Sequence, residues 1–256
     1  MVLRSQFFSS GEDGAVSVKN REGRSDIVLI CEHASRTIPK AFGDLGLSKD
    51  VLEAHVAWDP GALGVSERLS SSLDAALIYQ NYSRLIYDCN RPPEAAGAMP
   101  QKSEIFDIPG NQNLSLHERY ARTSKLYIPF HDEIDTLIAE RKKQGRNVVV
   151  VTVHSFTPVY FGQKREVEIG ILHDEDSRLA DRMLAAADGA SWRVERNQPY
   201  GPQDGVTHTL CLHALPSRLE NVMIEIRNDL VADAAGEEMI AKYLHDLLTA
   251  SLPANT

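Results

Sequence analysis

Apolar residues along the chain gather into continuous runs that break at polar and turn-forming clusters, and the rhythm of those breaks predicts the elements. Ile27 to Cys31 is uninterrupted and apolar, then gives way to Glu32, His33, Ala34 and Ser35 before Pro39. That is the pattern of a buried strand with polar groups at its carboxyl end. Ser48 can cap a short helix through Ala57, and Gly61 to Leu73 reads as a second helix with Leu63, Leu69 and Leu73 among its apolar positions. Ala76 to Tyr79 and Leu85 to Tyr87 read as two short strands. Between Glu94 and Asn113, Pro, Gly, Ala and Asn dominate without periodicity, so a loop is expected there, of a length typical of active-site lids.

The second half repeats the alternation. Ser115 and Glu118 form a capping box, and the pattern predicts a helix to Lys143 that Gly145 stops and Pro129 kinks. Asn147 to Val153 is the strongest strand, with five Val and one Thr, and it too ends in a polar pair, His154 and Ser155. Glu166 to Leu172 reads as a strand and Asp174 to Asp188 as a helix with acids in its first turn. Asn221 to Ile226 reads as a last strand, followed by a helix to about Leu248. Strands alternating with helices at this spacing predict a single-domain three-layer α/β/α architecture around a mixed, largely parallel sheet. Such sheets bind ligands at the carboxyl ends of their strands. Residues 24–252 are expected to form this domain, and residues 1–23 a loosely packed N-terminal segment.

Composition narrows the picture. The 256 residues are 43% hydrophobic and 25% charged, enough to bury a core without structural metals, so a metal would serve chemistry. A formal charge of -9 argues against a nucleic-acid partner. Arg84, Arg91 and Arg227 sit in or beside apolar runs, where a solvated Arg is least expected, and are candidates for anion binding. Cys31, Cys89 and Cys211 are odd in number and far apart, with neither a disulfide framework nor a C-x-x-C cluster, which fits a reducing compartment. The first 23 residues lack the apolar core of a signal peptide, and the longest apolar run, Val148 to Val153, is too short to span a bilayer. A cytoplasmic protein that meets neither membrane nor nucleic acid is expected; a homo-oligomer is left open.

Three polar clusters carry candidate chemistry: Cys31-Glu32-His33, Tyr87-Asp88-Cys89-Asn90-Arg91 and His154-Ser155. A single His after a buried strand is more often structural than a ligand. Two at the ends of separate strands, with Asp59 between them in sequence, point toward a His/Asp/His zinc site with an open position. His208 and His213, beside Cys211, match no ligand spacing. In SRLIYDCNRP, Arg84 and Arg91 bracket a short apolar stretch, and Asn90 places a planar amide beside the second. Guanidinium forks suit a carboxylate or an oxyanion; the alternative is internal pairing with Asp88. G-x-S-x-G, P-loop and G-x-G-x-x-G patterns are absent, which demotes serine hydrolase, NTPase and nicotinamide chemistry.

In order, CEHASRTIP, AWDPGALGV, SRLIYDCNRP, VTVHS, EIGIL, NQPYG, GVTHTL and VMIEIRNDL resemble the successive motifs of the N-formylglutamate amidohydrolase family, from residue 31 to residue 230. That family is similar in architecture to zinc carboxypeptidases and aspartoacylase. The resemblance implies one Zn2+ held by two His and a carboxylate, an Asn-Arg pair gripping a substrate carboxylate, a second Arg polarising the scissile carbonyl and a late Glu as general base. By position, His33 and His154 are the His ligands, Asn90-Arg91 the grip, Arg84 the polarising Arg and Glu225 the base. The wider group writes its first two ligands H-x-x-E, whereas Arg36 stands three residues after His33 here. Asp59 is therefore the expected carboxylate ligand, with Glu32 and His55 as alternatives.

The implied reaction is hydrolysis of a small N-acyl amino acid, N-formyl-L-glutamate to L-glutamate and formate, as in histidine catabolism. Arg227 is the candidate reader of the second carboxylate. Another N-acyl amino acid or small peptide amide, or a non-catalytic carboxylate-binding protein, would use the same scaffold. Alternation puts Glu225 with Met223 on one strand face, directed into packed protein. It is there either as the partner of Arg227 or as a base whose pKa burial has raised.

Overall fold

The Val-rich run forms the middle of the sheet. In the computed structural model, which describes residues 7–252, the strands are β1 Val16–Lys19, β2 Ile27–Cys31, β3 Ala76–Gln80, β4 Lys102–Ser103, β5 Phe106–Asp107, β6 Val149–Phe156, β7 Val159–Tyr160, β8 Gln163–Lys164, β9 Ile169–Leu172, β10 Val194–Arg196 and β11 Glu220–Arg227. Seven of them make one sheet in the order β1-β3-β2-β6-β11-β9-β10, while β4–β5 and β7–β8 are separate two-stranded ribbons. The four central strands β3, β2, β6 and β11 run parallel. Edge strand β1 is antiparallel to β3, and β9, with β10 parallel to it, is antiparallel to β11. The sheet is mixed and largely parallel, as expected.

Helices α1 Lys49–Glu53, α2 Ala62–Leu73, α3 Leu116–Arg122, α4 Ile128–Lys143, α5 Arg178–Ala186 and α6 Ala234–Ser251 complete the layers. Strand alternation divides the core in two. Val149, Val151 and Val153 of β6, with Val222, Ile224 and Ile226 of β11, pack against α2, α5 and α6. Val150 and Met223 face the other way, into the cluster that holds Phe130, Ile134, Leu137 and Ile138 of α4. Among the described residues, no helix is long and apolar enough to cross a membrane.

Several boundaries differ from the sequence reading for physical reasons. Leu85–Tyr87 is not a strand but a buried turn: Ile86 N–H donates to Ser83 O, Leu85 N–H to Ser83 Oγ and Asp88 N–H to Ala98 O. Its apolar side chains are buried, and its backbone is satisfied without a ladder. The first helix stops at Glu53 rather than Ala57. The long helix is capped by Ser115 and Glu118 as expected, but a π-helical turn at Thr123–Tyr127 interrupts it just before Pro129. Strand β6 extends past Val153 because its pairing with β11 continues to Phe156 and Arg227, which puts His154 and Ser155 inside the strand. Within the 94–113 loop lies the β4–β5 ribbon. The described part of the N-terminal segment is packed rather than loose, since Val16–Lys19 pairs along β3; residues 1–6 of that segment lie outside the described residues.

Candidate metal centre and its cavity

Parallel pairing in register sets neighbouring side chains on the same face, and β6 and β11 pair His154 directly with Glu225. Both residues lie on the face of Val150 and Met223, beyond the apolar core and toward the carboxyl ends of the strands. His33 follows β2 by two residues, and its carbonyl accepts from Asp59 N–H at 2.9 Å, which ties the loop before α2 to the strand end. Gly61 makes that tie sterically feasible. Its φ is +78°, and a Cβ there would lie 2.4 Å from Val231 Cγ2. Asp59-Pro60 can therefore turn straight into α2.

The result is a buried cluster of His33, Asp59 and His154. His33 Nδ1 and His154 Nδ1 lie 3.2 Å apart, and Asp59 Oδ2 lies 3.2 Å from the first and 3.0 Å from the second. The far side of each ring faces a buried acid. His33 Nε2 meets Asp88 Oδ1 at 2.7 Å, and His154 Nε2 meets Glu32 Oε2 at 3.1 Å, an ion-pair distance without the alignment of a hydrogen bond. With each Nε2 facing a carboxylate, the tautomer that carries its proton there leaves both Nδ1 lone pairs and a carboxylate oxygen to converge on one point. Two ring nitrogens at that separation cannot both carry protons between them. Tetrahedral zinc with ligands at about 2.0–2.1 Å needs ligand-to-ligand edges near 3.3 Å, so the donor set and its spacing fit. Carboxylates behind ligating imidazoles are the usual outer support of such sites.

Glu32 therefore stands behind His154 rather than in the cluster. His55 is at the cavity wall, held by Glu104 Oε2 at 2.9 Å.

Electrostatics follow from this crowding. Burial alone would raise the Asp59 pKa, but His33, His154 and Arg84 outweigh it and hold the group far below the ordinary carboxylate range. Burial would lower that of His154, but Glu32 and Asp59 prevail and hold it well above the usual value. Glu225 is the exception. Burial dominates there, with Asp59 adding to it, and its pKa is pushed up to about 7. Its Oε2 has no hydrogen-bond partner among the described residues.

A cavity of about 530 Å³ opens over the cluster, lined among others by Arg84, Asn90, Arg91, Arg165, Tyr200 and Glu225. Arg84 bridges Asp59 Oδ1 at 3.3 Å and Asp88 Oδ2 at 2.7 Å, so pairing with Asp88 is realised there. Among the described residues Arg91 has no such partner; it donates to Gly205 O. The Asn90 amide is committed to backbone, donating to Val206 O and accepting from Thr209 N–H. Arg227 lies outside the cavity lining. Its guanidinium is held by Asp229 at 2.8 Å and by Glu168 at 3.5 Å, and neither residue is Glu225. Sequence reasoning missed Asp88 as the support of His33, although it lies inside a motif already singled out. It also missed Arg165, which no motif marks.

Fold and site together define a three-layer α/β protein with a candidate three-ligand metal centre at the carboxyl edge of its sheet. Residues 25–232 match the N-formylglutamate amidohydrolase family, and the chain belongs to it. Membership supports an amide-hydrolysing enzyme acting on a small molecule. The chain is 63% identical to gene product Atu2144 from Agrobacterium tumefaciens, with a TM-score of 0.95 over 96% of this chain and 98% of that one. It also shares its fold with N-formylglutamate amidohydrolase from Ralstonia eutropha JMP134, at 16% identity and a TM-score of 0.66 over 92% and 96% of the two chains. Among curated proteins, none matches.

Proposed function

We propose that this chain is a zinc-dependent amidohydrolase that removes the acyl group from a small N-acyl amino acid, with N-formyl-L-glutamate as the leading substrate. The observation that carries the reading is the convergence of His33 Nδ1, His154 Nδ1 and Asp59 Oδ2 beside an unpartnered Glu225 in one cavity. Those three atoms would hold the metal, which when bound supplies positive charge that acidifies an attacking water and polarises the amide carbonyl.

The remaining work falls to side chains of this chain. Glu225 takes a proton from water as its oxygen bonds to the acyl carbon, and returns that proton to the amine nitrogen as the C–N bond breaks. With a pKa near 7 it can do both at neutral pH. Arg84, anchored by Asp59 and Asp88, keeps donors free for the carbonyl oxygen as charge develops on it. Arg91 grips a substrate carboxylate, while Asn90 pins the 205–209 segment against which Arg91 rests. The products are formate and the free amino acid, in a cytoplasmic setting.

Formate release from N-formyl-L-glutamate, run beside N-formyl-L-aspartate and N-acetyl-L-glutamate, tests the reading. Activity should be highest on the first, vanish with chelator and return with zinc, and metal analysis should find close to one zinc per chain. Turnover of another amide alone would move the substrate. Turnover that survives full metal removal would sink the mechanism.

A further inference from the structure

Besides the groups that handle the amide, the cavity lining contains two guanidinium groups with no acidic side chain within 4 Å among the described residues, Arg91 and Arg165. Arg165 is set in an aromatic frame. Its guanidinium carbon lies 4.5 Å from the Tyr160 ring centroid, 4.8 Å from that of Tyr200 and 5.6 Å from that of Phe156. Nη1 donates to Tyr200 Oη at 3.0 Å and to Thr157 O at 3.4 Å. Its backbone is fixed as well: N–H donates to Pro158 O at 2.8 Å, and its carbonyl accepts from Arg227 Nη1 at 3.4 Å. Arg227 spends its own charge on Asp229 and Glu168 and so acts as a buttress for Arg165.

The loop facing this frame is equally constrained. A Cβ on Gly170 would lie 1.9 Å from Gln198 O, so only glycine in β9 lets the loop that bears Tyr200 approach so closely. That same loop supplies Gly205 O, the acceptor of Arg91. Two arginines are thus held at fixed stations on one loop, each with donors left over. Asp204, the acid on that loop, is turned back onto Gly201 N–H at 2.8 Å.

We propose that Arg165 is the specificity-determining residue that receives the second carboxylate of a dicarboxylic substrate, the first being held at Arg91. This rests on the amidohydrolase reading of the same site, and assigns the recognition of the second carboxylate to one residue of this chain. Stacking fixes the plane of the guanidinium, so a carboxylate can be met by a bidentate fork at little further entropy cost. A neutral isostere would leave that cation desolvated and unpaired, which is how such a site rejects the wrong ligand.

The test is calorimetric titration of the full chain, in the presence of zinc, with glutarate and with pentanoate, which has the same chain length and one carboxylate. The wild type should favour glutarate by roughly 10- to 100-fold, the range of a charge-assisted pair. Arg165→Gln should bring the ratio close to one with pentanoate affinity unchanged, and Arg165→Lys should restore part of it. A wild type that does not discriminate, or an Arg165→Gln variant that keeps the ratio, overturns the proposal. So does an equal loss of both ligands in both variants, which would make Arg165 a prop for Tyr200. Because no turnover is read, wild-type preference for glutarate that Arg165→Gln abolishes, without formate release from any substrate, would sink the reaction and leave the subsite standing.

Discussion

Two buried pairs of histidines lie in this protein, and they behave in opposite ways. His33 and His154 face each other at 3.2 Å, and the surrounding acids outweigh burial and raise the pKa of each. His131 and His213 are closer still, at 2.7 Å, yet both pKa values are lowered, that of His131 to about 3, with burial the first cause. The difference lies in where the acids sit. Glu32, Asp59 and Asp88 are all buried around the first pair. Beside the second pair stands Asp135, 2.7 Å from His213 but 70% exposed and therefore screened, and Glu32 adds a pull that does not offset burial. The ring nitrogens of that pair are also all engaged: His131 Nε2 with Cys89 O, His131 Nδ1 with His213 Nε2, and His213 Nδ1 with Asp135 Oδ1. Ring proximity does not make a ligand pair. What sets the first pair apart is the set of buried anions behind its rings and the Asp59 oxygen that both Nδ1 atoms share.

The contrast can be broken most sharply at its metal end. His33→Ala and His154→Ala should each abolish zinc retention and turnover while leaving the fold intact, as read by metal analysis and circular dichroism; zinc retained at wild-type stoichiometry in either variant would remove the centre as drawn. Next in size is Glu225→Gln, which keeps shape but cannot take a proton. There kcat should fall by roughly 10² to 10⁴ with zinc content unchanged, and near-normal turnover would take Glu225 out of the mechanism. Asp88→Asn weakens the outer support of His33 along with the anchor of Arg84, so a competing chelator, which reads the metal alone, should report affinity lower by roughly 10- to 100-fold. No change would mean that His33 is oriented by other contacts.

The smallest effect lies in the second pair and concerns stability. An unfolded His titrates near 6.5 and His131 in the fold near 3, so the unfolded chain binds the extra proton between those values. Stability from this group is complete above about pH 6.5 and is lost as the pH falls toward 3. By linkage the loss at pH 5 is about 2 kcal/mol. Urea denaturation at pH 7 and pH 5 should therefore find a difference smaller by about that amount in His131→Gln, and equal pH dependence in variant and wild type would contradict it.

The layered fold was legible because its strands are continuous apolar runs whose polar ends fall where a parallel sheet gathers ligands. The triplet Leu85–Tyr87 misled because burial and strand formation leave the same apolar signature, and only the hydrogen bonds to Ser83 and Ala98 tell them apart. His33, Asp59 and His154 could be nominated from their strand ends and the motif order. Arg227 shows where alternation stops being informative: it shares the Glu225 parity, but at the last position of β11 its side chain meets Asp229 and Glu168 instead. Tyr200 stands 35 residues from Arg165, and His213 82 residues from His131, so only tertiary packing joins those pairs.

One further consequence follows from the register of the two central strands. Glu225 opposes His154 across β11 and β6, and a slip of one residue would turn a strand's inward side chains to the opposite face. The acid and the ligand would then no longer share a chamber, and a carboxylate or an imidazole would be forced among Val151, Val153 and Ile224. The proposed chemistry therefore depends on the same register that builds the sheet. Refolded protein is expected to lose activity in proportion to the chains whose β6–β11 register has slipped.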